Sequence, residues 1–161
     1  NREAWRALED AYKAGKLRAI GLSNFQKPDV DNILNNCTVI PMVNQILAHI
    51  SNTPAELIQY CQERDILIEA YSPIGHGALL TNPELSAIAE KYHASVAQLS
   101  IRYCLQLGLL PLPKTANPEH MKANADVDFL ISEADMDFLK AMKQIESYGA
   151  AAKFPVFDLK K

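Results

Sequence analysis

Apolar residues recur along this chain in two alternating patterns, one at helical spacing and one in short dense runs, and the alternation predicts its elements. Asn1 to Ala14 carries Trp5, Leu8, Ala11 and Tyr12 at helical spacing and stops at Gly15, a residue suited to a left-handed C-terminal cap. Leu17 to Leu22 is a short run that reads as a strand and ends in Ser23-Asn24. A second helix starts at Pro28 with Val30, Ile33 and Leu34, the proline occupying a first-turn position where its missing N–H costs nothing. Thr38 to Val43 is the next predicted strand, and Thr53-Pro54-Ala55-Glu56 has the form of a capped helix start, running to about Glu63. Asp65 to Ala70 reads as the third strand. Two helices follow, Pro83 to Tyr92 opened by Asn82, and Val96 to Leu107 opened by Ser95 with Gln98 three residues on and closed by Gly108. Leu109 to Pro113 is the fourth strand, Asn117-Pro118 opens a helix to about Asn124, and Ser132 opens one more through Met142. The pattern is lost from Ser147 onward. A leading helix followed by strands alternating with helices implies an α/β fold with parallel strands and crossover helices packed outside.

Composition narrows the reading. The chain has 161 residues, 48% of them hydrophobic, which suffices for one sizeable core. The formal net charge of −3 argues against a nucleic-acid surface. No apolar run approaches the ~20 residues of a membrane-spanning helix, and the first dozen residues read as an amphipathic helix rather than an export segment. Cys37, Cys61 and Cys104, odd in number and widely spaced, fit reduced, buried thiols in a cytoplasmic protein. No Cys/His cluster has ligand spacing, so no metal site is expected.

The strand ends carry the chemistry. Binding groups gather at the C-terminal ends of parallel strands, and here those ends read Ser23-Asn24, Asn44-Gln45, Tyr71-Ser72 and Lys114-Thr115. Amides and hydroxyls of neighbouring strands can together read a carboxamide, and a tyrosine can stack on a planar ring. Lys114 and Thr115 before a helix N-terminus offer a cation, a hydroxyl and backbone N–H groups, which is phosphate chemistry. His49, His76 and His93 read as surface or capping histidines, Tyr60, Tyr92 and Tyr103 as packing residues, and Asp128 and Asp135 as turn and cap carboxylates.

The motifs themselves resemble the C-terminal half of an aldo-keto reductase. They are the run Ala11 to Phe25 (AYKAGKLRAIGLSNF), Val43-Asn44-Gln45, Ala70-Tyr71-Ser72-Pro73-Ile74-Gly75, and Pro113-Lys114-Thr115 with Asn124 ten residues beyond the lysine. The resemblance covers essentially the whole chain. It implies a (β/α)₈ TIM barrel, with residues 1–146 supplying the last four β/α units and 147–161 a C-terminal tail whose Phe154 and Phe157 line the pocket or cover the barrel. It further implies an NADPH-dependent reductase of aldehydes and ketones. In that reading Ser23, Asn24 and Gln45 bond the nicotinamide carboxamide, Tyr71 stacks on the ring, and Ser72 with the backbone near Ile74 to Gly77 holds the pyrophosphate. Lys114 and Thr115 take the 2′-phosphate and Asn124 the adenine edge.

Two departures matter: His120 stands where the family usually has Arg, which opens the site to NAD as well as NADP, and Ala123 replaces the acidic residue often found before Asn124. The family's catalytic Asp, Tyr, Lys and His belong to the first four strands, so the resemblance assigns no catalytic residue to this chain. Four strands without partners would expose an apolar inner layer, with Ile20, Met42, Ile66, Ile68 and Leu110 as candidates. That implies either an N-terminal half, in cis or in trans, or self-association. A nucleotide-binding regulatory subunit and an inactive assembly fragment on the same fold are the alternatives.

Overall fold

The computed structural model describes residues 1–145, and its elements alternate as the periodicity predicts. Helix α1 (Arg2–Lys13) is followed by β1 (Gly21–Ser23), α2 (Lys27–Leu34), β2 (Val43–Leu47), α3 (Ala55–Gln62) and β3 (Leu67–Tyr71). After a 3-10 stretch, Gly75–Thr81, come α4 (Pro83–Lys91), α5 (Val96–Gln106), β4 (Leu110–Leu112), α6 (Pro118–Ala125) and α7 (Glu133–Ala141). The strands stand in the order β1-β2-β3-β4, and β1 runs parallel to β2 with Gly21 opposite Val43 and Ser23 opposite Gln45. Helices carry the chain from each strand to the next, as parallel neighbours require. The predicted tail, 147–161, lies outside the described residues.

Two compact units divide the chain: Asn1–Ile46 with Pro54–Glu69, and Leu47–Thr53 with the residues from Ala70 on. In the first unit Trp5, Val30, Ile33, Cys61, Ile66 and Ile68 are buried, each large apolar side chain contributing about 1.5 to 3 kcal/mol by leaving water. The Trp5 indole donates to the Val39 carbonyl at 3.2 Å. One turn further along α1, the buried Glu9 carboxylate accepts from the Thr38 and Val39 N–H groups at 2.5 and 2.7 Å. The bond from Val39 is the main reason that carboxyl is held below its ordinary range.

This contact also corrects the second predicted strand. Thr38 and Val39 give their N–H groups to Glu9, and Pro41 has none to give, so the ladder starts at Val43 instead of Thr38. Asn44 and Gln45 accordingly lie within the strand and not after it.

In the second unit Leu79, Leu85, Leu99, Tyr103, Cys104 and Leu139 form the fully buried centre. Gln98, Arg102 and Gln106 succeed one another at four-residue spacing along α5, so they share one face, and each donates to a carbonyl of the extended segment 126–131. Gln98 reaches Asp126 at 2.7 Å, Arg102 reaches Val127 at 3.3 Å, and Gln106 reaches Ile131 at 3.0 Å while accepting the Ile131 N–H at 2.7 Å. Beyond it, Tyr92 accepts from Ser132 N–H and donates to Asp135, which also pairs with Lys91 at 2.7 Å. Lys91 is the first cause holding the Asp135 carboxyl below its ordinary range, and Tyr92 the next.

The predicted caps Asn82, Ser95, Asn117 and Ser132 all accept backbone N–H bonds. Thr53 does not cap α3: its hydroxyl donates to the His49 carbonyl and shares a 2.7 Å bond with the buried Tyr103 hydroxyl.

Strand alternation also corrects part of the predicted inner layer, while Leu110 is exposed as expected. Ile20, Ile66 and Ile68 are buried beneath the chain's own residues, whereas Leu67, Leu110 and Leu112 are 42, 42 and 39% exposed. The apolar side chain left uncovered on β3 is thus one position out of phase with those expected, because successive side chains of a strand face opposite sides and Ile66 and Ile68 share the buried one.

Candidate functional site

In the first unit β1 and β2 meet closely at their first residues. A Cβ built on Gly21 would fall 2.2 Å from a Val43 methyl and 2.8 Å from the Val43 carbonyl oxygen, so only glycine permits this approach. Three residues on, the chain turns away through Asn24, which is left-handed at φ 58° and donates its N–H to the Gln45 carbonyl at 2.8 Å. Asn24 Nδ2 donates to Ser23 Oγ at 3.3 Å. Ser23 is exposed and faces the half-buried Gln45 across the ladder, so hydroxyl and amide share one side of the sheet.

Asn44 points the other way and is fully buried. Its Nδ2 donates to the Phe25 carbonyl at 2.9 Å, and its Oδ1 accepts the Phe25 N–H at 3.4 Å. This clamp holds the turn that carries Ser23 and Asn24. Gln45 Nε2 donates to Glu69 Oε2 at 2.8 Å.

The sequence pattern offered Asn44 beside Gln45 as a reader of a carboxamide, which its burial against Phe25 corrects, and it singled out nothing at Glu69. The available signal for Glu69 was a carboxylate in an otherwise apolar strand run, two positions before Tyr71 and therefore on the same face.

In the second unit Tyr71 and Ser72 are half-buried at the end of β3, and Ser72 is left-handed at φ 51°. The chain then folds tightly: Gly75 N–H reaches the Ser72 carbonyl at 2.8 Å and Gly77 N–H the Ile74 carbonyl at 3.0 Å. Gly75, His76 and Gly77 are left-handed in succession, at 56, 54 and 89°. Glycine-bearing turns of this kind let a backbone pass close to a ligand. Space beyond Gly77 is open, with nothing within 4 Å of a built Cβ. His76 Nε2 lies 3.1 Å from Ser72 Oγ on the exposed side of this loop.

His49, expected at the surface, is instead buried, packed where a Cβ on Gly75 would stand 3.5 Å from its ring. Burial holds its imidazole below the ordinary histidine range, hence neutral at pH 7. The apolar run Ile46 to Ile50 pulls it inside, and that run was the signal missed.

Lys114, exposed, and Thr115, half-buried, follow β4; Thr115 Oγ1 accepts the Asn117 N–H at 3.1 Å, and Asn117 caps α6. His120 and Asn124 lie four residues apart on α6 and so share a face. The second unit also holds a cavity of about 460 Å³ lined by Leu79, Phe138, Met142 and Ile145 with Ser51 and Glu84, and none of the predicted site residues lines it. Among the described residues no His/Cys/Asp/Glu group could hold a metal ion, and no helix is long and apolar enough to cross a membrane.

Comparison with known proteins places this arrangement among relatives. Residues 1–144 match the Aldo/keto reductase family. The chain is 44% identical over 149 residues to the glyoxal reductase of Bacillus subtilis, covering 92% of this chain and 54% of that protein. Among solved structures it is similar to the aldose reductase from Schistosoma japonicum, with a TM-score of 0.87 and 31% identity over 94% of this chain and 50% of that one. It is also similar to a Bombyx mori aldo-keto reductase complexed with NADPH, with a TM-score of 0.82 and 34% identity over 87% of this chain and 46% of that one. The chain thus spans about half the length of the relatives it matches.

Proposed function

Since this chain belongs to the aldo/keto reductase family and carries half of its (β/α)₈ barrel fold, we propose that it supplies most of the cofactor site of an NADPH-dependent reductase converting aldehydes and ketones to alcohols. The observation that carries this reading is the pairing of Ser23 with Gln45 on one side of β1 and β2, with Asn24 tied to the same strand end. The three side chains offer donors and acceptors together, which a carboxamide requires.

The remaining assignments follow the same chemistry. Tyr71 offers a ring face for stacking, and Ser72 with the backbone near Ile74 to Gly77, left-handed from Gly75 on, suits a pyrophosphate. Lys114 and Thr115 suit the 2′-phosphate, and Asn124 the adenine edge. His120, where an arginine is usual, lacks the fork that grips a phosphate by two bonds, which leaves NAD as a usable alternative.

When bound, the reduced nicotinamide supplies the hydride. This chain's residues bind and orient, and the proton donor for the carbonyl oxygen comes from an N-terminal barrel half, in cis or in trans, so no catalytic residue is assigned here. A second copy of the chain is the other partner that could cover the exposed Leu67, Leu110 and Leu112. The three free thiols support a reducing compartment, the cytoplasm.

The test is cofactor titration of the complete polypeptide that carries this chain. Tyr71→Ala and Gln45→Ala should each weaken NADPH binding by about 1 to 2 kcal/mol, the scale of an aromatic contact or a buried hydrogen bond. Unchanged affinity in both variants overturns the assignment.

A further inference from the structure

The geometry points to Glu69 as a positioning residue that fixes which end of the Gln45 amide meets the cofactor, and through it the selectivity for a carboxamide on the pyridine ring. The inference rests on the reading that Ser23, Asn24 and Gln45 face the nicotinamide. A glutamine amide is ambivalent, since its NH₂ donates and its oxygen accepts, and half a turn about the last side-chain bond exchanges the two. A carboxylate is not: it only accepts. With Glu69 Oε2 at 2.8 Å, the end of Gln45 turned toward β3 is Nε2, and Oε1 is the end left for a ligand.

At the other end, Ser23 Oγ accepts from Asn24 Nδ2 at 3.3 Å, so its own hydrogen is available to donate outward. The result is a directional chain of hydrogen bonds. Asn24 donates to Ser23, Ser23 donates to the carboxamide oxygen, the carboxamide NH₂ donates to Gln45 Oε1, and Gln45 Nε2 donates to Glu69. Only a group with an acceptor at one end and a donor at the other completes it. A 3-acetylpyridine ring, which has a methyl in place of the NH₂, leaves Gln45 Oε1 without a donor.

Glu69 is suited to this role by its place in the fold. It sits in the middle of β3 on the face opposite the buried Ile68 and Ala70, two residues before Tyr71, so the strand that bears the stacking ring also bears the anchor for the amide.

The experiment titrates the complete polypeptide with NADPH and with the reduced 3-acetylpyridine analogue, following the quenching of protein fluorescence. The wild type should bind NADPH roughly tenfold tighter than the analogue, the scale of one hydrogen bond. In Glu69→Gln the side chain at 69 can donate as well as accept, and the Gln45 amide is free to turn over. NADPH binding should then weaken roughly five- to tenfold while the analogue changes by less than about twofold, so that the ratio collapses. Glu69→Ala should do the same.

A merely structural bond between the strands would weaken both ligands equally, and an equal loss overturns the proposal. So does a wild type that does not distinguish the two ligands, a result that needs no variant to fold. Loss of the cofactor reading itself looks different: NADPH affinity would then be indifferent to Tyr71→Ala and Gln45→Ala.

Discussion

Under the proposed reading the 2′-phosphate meets a point charge at Lys114 after β4, and His120 in α6 stands where an arginine is usual. Removing a charge that only the phosphate meets must cost NADPH and spare NADH. Lys114→Met should therefore raise the dissociation constant of NADPH by about tenfold, a charge-assisted bond being worth about 1.5 kcal/mol or more, and leave that of NADH within about twofold. His120→Arg should shift preference the other way by adding a forked cation. Equal effects on both cofactors, measured by titration, would mean the phosphate lies elsewhere. At this scale the sequence singles out by type Ser23 and Tyr71, which end β1 and β3, Lys114, which follows β4, and Gln45, which lies within β2. It did not expose Glu69, nor that Asn44 turns inward, because each depends on which face of a strand the residue occupies, and that phase depends on where the strand begins. Glu9 decides that start for β2 from a helix roughly 30 residues upstream.

Among the elements, helix boundaries were readable and strand boundaries less so, for a physical reason. A helix end is specified locally, by a cap such as Asn82, Ser95, Asn117 or Ser132 within three residues of the N–H it receives. A parallel strand is specified by distant partners, so Thr38 to Val43 reads as a strand although Thr38 and Val39 give their N–H groups to Glu9 and Pro41 has none. The seam between α5 and segment 126–131 is of the same non-local kind. That segment has no ladder, and backbone groups without a ladder need side-chain partners. Gln106 serves both the N–H and the carbonyl of Ile131. Gln106→Ala should lower unfolding free energy by about 1 to 3 kcal/mol, the scale of two hydrogen bonds lost together. Gln106→Glu, which keeps the acceptor and loses the donor, should fall between the two in denaturant titration; a value for Gln106→Ala within 0.3 kcal/mol of wild type, a surface-like change of the order typical for exposed sites, would show the seam to be dispensable.

For the whole molecule, the relation to relatives about twice its length sets the expectation. Proton transfer from a positioned group is typically worth about 10² to 10⁴ in rate, and the reading above assigns that group to the other half of the barrel. The 161-residue chain alone should therefore not detectably oxidise NADPH with simple aldehydes, and should gain that activity when an N-terminal half is supplied. Turnover by the purified chain that disappears in Tyr71→Ala would contradict this. The buried cysteines have a consequence of another sort. Cys61 lies in the first compact unit and Cys104 in the second, both with no exposed surface, and burial pushes the Cys104 thiol up to about 12. A thiol in that state reacts only after its surroundings open, so each cysteine is a built-in clock for its own unit. Mass-resolved labelling of the native protein should tag the half-buried Cys37 first; if Cys61 and Cys104 are then tagged at one common rate the two units open together, and if at two rates the chain has two independent breathing motions.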